Sequence, residues 1–134
     1  MVEAATLSRK RLLLSGRRIL VVEDEYFLAD DVSRMLRSFG AEVAGPVGEI
    51  EDALRLLRDG AIIDGAVLDV NVRSDRVFSV ARELRARGVP FLFATGYDKV
   101  TLGPEFQDVA VWEKPVDIAA MVRGLAELIG PQQT

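Results

Sequence analysis

The chain has 134 residues, is 49% hydrophobic, carries a formal net charge of −4 and contains neither histidine nor cysteine. That length buries the core of one domain without disulfide or metal scaffolding. The two missing residue types exclude imidazole acid–base catalysis, thiolate chemistry and a phosphohistidine formed on the chain itself, and apolar runs of only a few residues exclude membrane insertion.

Charge is unevenly spread. Residues 1–18 hold Arg9, Lys10, Arg11, Arg17 and Arg18 against Glu3, which leaves 12 basic and 20 acidic residues for the body. An acidic body argues against nucleic acid as a partner. The basic group at 9–11 is followed by only three leucines, too short an apolar region for a signal peptide. A cytoplasmic protein is expected, with residues 1–17 as a basic N-terminal extension, loosely helical or tail-like, and 131–134 as a C-terminal tail.

The domain proper begins with Ile19-Leu20-Val21-Val22, a buried-strand pattern that runs straight into Glu23-Asp24-Glu25. Leu28, Val32, Met35, Leu36 and Phe39 repeat at helical spacing until Gly40. A short strand over 42–44 and a helix marked by Ile50, Ala53, Leu54 and Leu57 follow, the helix stopping near Gly60. Gly65-Ala66-Val67-Leu68-Asp69 is an apolar strand ending in a lone carboxylate, with a polar loop from Asn71 to Asp75 behind it. Val77, Val80, Ala81 and Leu84 line a third helix. Gly88-Val89-Pro90 then turns the chain into Phe91-Leu92-Phe93-Ala94-Thr95. Gly103 and Pro104 interrupt residues 98–108, so a short or irregular helix is expected there. A fifth strand over 109–112 leads to Lys114-Pro115. Ile118, Met121, Val122, Leu125, Leu128 and Ile129 give a last amphipathic helix closed by Gly130-Pro131.

Five strands alternating with helices imply a parallel sheet with right-handed crossovers. The all-apolar strands at 19–22, 65–69 and 91–95 belong in its centre, and 42–44 and 109–112 at its edges. The expected fold is therefore α/β, a flavodoxin-like doubly wound five-stranded parallel sheet of order 2-1-3-4-5. In that topology Glu23, Asp24, Asp69, Thr95 and Lys114 meet at the carboxyl edge of the sheet, where open α/β sheets bind ligands. Three neighbouring carboxylates repel unless a cation sits among them, and hard oxygen donors suit Mg²⁺. A carboxylate facing a lysine and a hydroxyl beside such a cation can accept a phosphoryl group. Taken singly, each residue has an ordinary account: helix N-terminal acids for Glu23 and Asp24, a helix cap for Asp69, a strand threonine, a surface lysine. Their convergence is what makes a site.

Ile19-Leu20-Val21-Val22-Glu23-Asp24-Glu25, Val67-Leu68-Asp69-Val70-Asn71, Phe93-Ala94-Thr95-Gly96-Tyr97 and Lys114-Pro115 resemble the four signature blocks of the receiver domain of two-component response regulators. The resemblance covers residues 18–130. The Phe-Ala-Thr-Gly-Tyr block is similar to that of stand-alone alphaproteobacterial receivers. It implies that Asp69 is the phosphoacceptor, that Glu23, Asp24, Asp69 and the Asn71 backbone carbonyl hold Mg²⁺, and that Thr95 and Lys114 contact the phosphoryl group. It also implies a sensor histidine kinase or histidine phosphotransfer protein as donor, a downstream protein partner or phosphotransfer as output, a possible homodimer, and a cis Lys114-Pro115 bond. Beyond Mg²⁺-dependent self-phosphorylation and autodephosphorylation, no enzyme activity is implied.

The sequence departs from the family twice. Arg73-Ser74 stands where glycine is common, and Val111 stands where the family has an aromatic that swings on activation. Read-out is therefore expected from Thr95, Tyr97 and the 98–108 segment. A haloacid-dehalogenase-type phosphatase needs a second acid where this chain has Asn71, a flavodoxin needs a phosphate loop where it has Glu23-Asp24-Glu25, and a P-loop is absent. The remaining alternative is a receiver-like interaction module that acts without phosphorylation.

Overall fold

In the computed structural model, residues 13–73, 75–96 and 102–131 are described. Five strands, β1 (Arg18–Val22), β2 (Glu42–Val47), β3 (Gly65–Asp69), β6 (Phe91–Thr95) and β7 (Val111–Glu113), form one parallel sheet. Its spatial order is β2-β1-β3-β6-β7, which is 2-1-3-4-5 counted over these five strands. Helices α1 (Tyr26–Ser38), α2 (Ile50–Arg58), α3 (Phe78–Ala86) and α4 (Ile118–Ile129) cover both faces. The flavodoxin-like fold expected from the pattern is the fold observed.

Period-two alternation divides the core between the two faces. Leu20, Val22, Ala66, Leu68, Phe91 and Phe93 point toward α2 and α3, whereas Ile19, Val21, Val67 and Leu92 point toward α1 and α4. Because helices close both faces, every residue of β3 and β6 is buried, and the central strands carry no polar alternation. Gly65 lets α4 come this close: a Cβ there would lie 2.7 Å from Ile129 Cδ1. At the far edge, half-buried Trp112 of β7 packs over α4, with its indole Cζ2 3.2 Å from where a Cβ on Gly124 would stand.

Three local expectations need correction. β2 is longer than 42–44, running to Val47 through Gly45-Pro46. Pro46 offers no N–H, and the β1–β2 register shifts between Leu20 and Val22 to accommodate it, which an edge strand tolerates. The polar loop after Asp69 is instead a small antiparallel ribbon of β4 (Asn71–Val72) and β5 (Asp75–Arg76), because Val72 is buried and draws the chain inward. In the described part of 98–108 a 3₁₀ turn forms, Pro104–Phe106, the short helix expected there, anchored by buried Phe106. Val109 N–H donates to Phe106 O in the exit from that turn, so β7 starts at Val111 rather than at 109.

Residues that flank 18–130 pack against the sheet and helices as well. Leu14 is fully buried and its N–H donates to Phe39 O, while Arg17 Nη2 donates to Pro131 O at 3.3 Å.

Candidate functional site

Each candidate side chain sits where a strand stops. β1 releases Glu23 and Asp24, β3 ends on Asp69, β6 ends on Thr95, and Lys114 follows β7 directly. Adjacent register (Asp69 with Ala94, Thr95 with Glu113) brings these ends level, and Lys114 N–H donates to Thr95 O at 2.8 Å. Lys114-Pro115 is cis, as the resemblance implies.

Lys114 Nζ lies 3.1 Å from Glu23 Oε1, 3.2 Å from Asp69 Oδ2 and 3.3 Å from Glu25 Oε1. Glu23, Asp69 and Thr95 are buried and Asp24 is exposed. One carboxylate oxygen from each of Glu23, Asp24 and Asp69 falls within 4.8 Å of the others. Backbone donors hold the acids in place: Glu25 N–H to Glu23 Oε2, Asn71 N–H to Asp69 Oδ1 and Arg73 N–H to Asp24 Oδ2.

The electrostatics are those of a site with too much negative charge. Burial first, and then the adjoining Asp69, push the Glu23 carboxyl up to about 8 against the opposing pull of Glu25 N–H and Lys114. Burial also raises Asp69, although Glu23, Lys114 and Asn71 N–H pull it down. Burial works against the charge on Lys114, but Asp69 and Glu23 outweigh it and hold the ammonium above its usual range. The two buried carboxyls thus titrate as a pair around one lysine. Asp24 adds a third acid to which Lys114 makes no ion pair among the described residues. Clustered hard oxygen donors carrying uncompensated charge fit a divalent cation such as Mg²⁺. Thr95 Oγ1 is buried with no hydrogen-bond partner among the described residues, an orphan donor beside the acids.

Glu23, Asp24, Asp69, Thr95 and Lys114 are therefore brought together as expected. Asn71 starts β4 next to the cluster, and Tyr97 lies outside the described residues. Two contributors were not foreseen. Glu25, visible as the third acid of its run, pairs with Lys114. Arg73 acts through its backbone, which no side-chain pattern announces. A cavity of about 490 Å³ lies at the opposite end of the strands, between Pro90, Phe91 and Ile129; it has none of these acids, so volume alone does not mark the chemistry.

No protein-family model matches the chain. SdrG from Sphingomonas melonis Fr1 is similar at 36% identity, with a TM-score of 0.74 over 85% of this chain and 97% of that one. SdrG in its BeF3-activated conformation, from Pseudomonas melonis Fr1, is 34% identical with a TM-score of 0.69 over 87% and 98%. A response regulator receiver protein from Sinorhizobium medicae WSM419 is 27% identical, with a TM-score of 0.74 over 87% and 96%. The transcriptional regulatory protein PdtaR of Mycobacterium tuberculosis is 27% identical over 110 residues, 79% of this chain. The chain spans about half the length of the curated relatives it matches (53%). Likeness across nearly the full length of SdrG, on the same sheet and with the strand-end acids in place, places this chain in the receiver-domain family of response regulators.

Proposed function

We propose that this receiver domain accepts a phosphoryl group on Asp69 from a phosphohistidine carried by a sensor histidine kinase or a histidine phosphotransfer protein. It then signals by phosphorylation-dependent protein binding or by passing the group on. The observation that carries this reading is the buried Asp69 carboxylate, 3.2 Å from Lys114 Nζ, at the sheet edge where the buried hydroxyl of Thr95 has no partner among the described residues.

An Asp69 carboxylate oxygen attacks phosphorus in line with the departing nitrogen. The O–P bond forms as the P–N bond breaks, and an imidazole protonated on its other nitrogen leaves neutral. Lys114 stabilises charge on the transferring oxygens, and Thr95 Oγ1 donates to one of them once it arrives, which satisfies that buried hydroxyl. Glu23, Asp24, Asp69 and the Asn71 carbonyl would hold Mg²⁺, which when bound supplies the remaining positive charge. The donor must come from outside, since the chain has no histidine. Val111, aliphatic and exposed, has no ring to swing, so read-out is assigned to Thr95 and Tyr97. SdrG is known in a BeF3-activated conformation, which supports the same kind of switching here.

The test is incubation with acetyl phosphate and Mg²⁺ followed by intact mass. Wild type should gain one phosphoryl group, and the gain should vanish in Asp69→Asn or with chelator present. A gain that survives in Asp69→Asn overturns the assignment. A wild type that takes none leaves the phosphorylation-independent interaction module.

A further inference from the structure

Of the three clustered acids, Asp24 is held differently. Glu23 and Asp69 are buried and tied to Lys114, whereas Asp24 is exposed, and its carboxylate receives the backbone N–H of Arg73, 49 residues away, at 3.0 Å. Arg73 reaches it from the ribbon that replaces the expected loop, with a left-handed φ of 47° that is uncommon outside glycine. A cavity of about 370 Å³ lies between the ribbon and the start of α2. Across that gap the Arg73 guanidinium approaches Glu49 at 3.6 Å, on an exposed pair that contributes little by itself.

The residue with this uncommon φ is thus also the one whose backbone N–H reaches Asp24, as Glu25 N–H reaches Glu23 and Asn71 N–H reaches Asp69. The bond falls on Oδ2, and Oδ1 of Asp24 accepts no hydrogen bond among the described residues. Partners of this kind, which orient a ligating carboxylate without touching the metal, typically govern metal affinity by 10- to 100-fold.

We propose that Arg73 is a positioning residue for the divalent cation: through its backbone N–H, the β4–β5 ribbon orients Asp24 for Mg²⁺. This rests on reading Glu23, Asp24 and Asp69 as the Mg²⁺ site, and on backbone rather than guanidinium chemistry.

The distinguishing variants are Arg73→Gly, which keeps the N–H and adopts the φ freely, and Arg73→Pro, which removes the N–H and cannot take a positive φ. Calorimetric titration of the full chain with Mg²⁺ should give Arg73→Gly within about threefold of wild type and Arg73→Pro at least about tenfold weaker. Thermal melts without Mg²⁺ establish that each variant is folded. Amide exchange supplies a second readout: the Arg73 N–H should be protected in wild type and exchange at least about tenfold faster in Asp24→Ala. A merely structural tie would lower the melting temperature of Arg73→Pro while leaving its Mg²⁺ affinity alone, and that result overturns the proposal. If Arg73→Pro does not fold, equal exchange of the Arg73 amide in wild type and Asp24→Ala overturns it instead. Wild type that fails to bind Mg²⁺ overturns the cation site and this proposal together, whereas wild-type binding with an indifferent, folded Arg73→Pro overturns the proposal alone.

Discussion

Two clusters of opposite charges among the described residues differ in burial and in balance. At the carboxyl edge of the sheet, Lys114 serves Glu23, Glu25 and Asp69, with Glu23 and Asp69 buried. On the flank, Arg82 and Arg85 of α3 take Glu105 and Asp108 in paired, two-pronged contacts of 2.9–3.1 Å, fully in reach of water, and both guanidinium groups lie over the Phe106 ring. The flank matches cations to anions one for one and so clasps the 102–108 segment. At the sheet edge Lys114 faces more carboxylate than it balances among the described residues, an excess that fits a divalent cation. Similar chemical groups therefore form a balanced fastener in one place and an unbalanced acidic cluster in the other.

Removing Lys114 should break the comparison most forcefully. Lys114→Met leaves two buried carboxyls without their counter-ion. It should cost about 2 kcal/mol at pH 8 in the absence of divalent cations, below the usual penalty for a broken buried pair because the acids can take up protons. Urea unfolding should show the loss shrinking toward pH 5.

Glu23→Gln sharpens it in the opposite direction. Glu23 titrates at about 8 in the folded chain against 4.5 when unperturbed, so between those values the folded state binds more protons than the unfolded one. The stability this group contributes is fully present below pH 4.5 and lost as pH rises through about 8. Glu23→Gln should therefore be more stable than wild type by about 1 kcal/mol at pH 8 without Mg²⁺, with the gap closing at pH 4.5. A wild-type profile flat from pH 5 to 8 would contradict the charge excess.

The smallest effect belongs to the flank. Arg82→Ala removes an exposed pair in which Glu105 is held below the ordinary carboxylate range mainly by its bond to Arg82. The fall in melting temperature should be below that of Lys114→Met and should fade in about 1 M salt, where exposed charges are screened.

The sheet and most of the site could be read from side chains alone. Ile19 to Val22, Ala66 to Leu68 and Phe91 to Ala94 are apolar on both faces, which only central parallel strands allow, and once those strands are ordered Glu23, Asp24, Asp69, Thr95 and Lys114 must converge. What escaped notice is decided by the main chain. Pro46 was absorbed by a register shift, Val72 folded a polar loop into a ribbon, and Arg73 offers an N–H rather than its charge. Val109 was read as strand with the apolar run 109–112, yet its N–H belongs to the turn around Phe106. Hydrophobic spacing reports which side chains want to be inside; it carries no record of which backbone donors are left over or where they turn.

Trp112, lodged against Gly124, is the one tryptophan of the chain and stands two residues ahead of Lys114. Its emission therefore arises from a single place, the seam between the last strand and the last helix. The protein carries an optical probe at the margin of its acidic cluster, so rearrangement there can be followed in solution without attaching a dye.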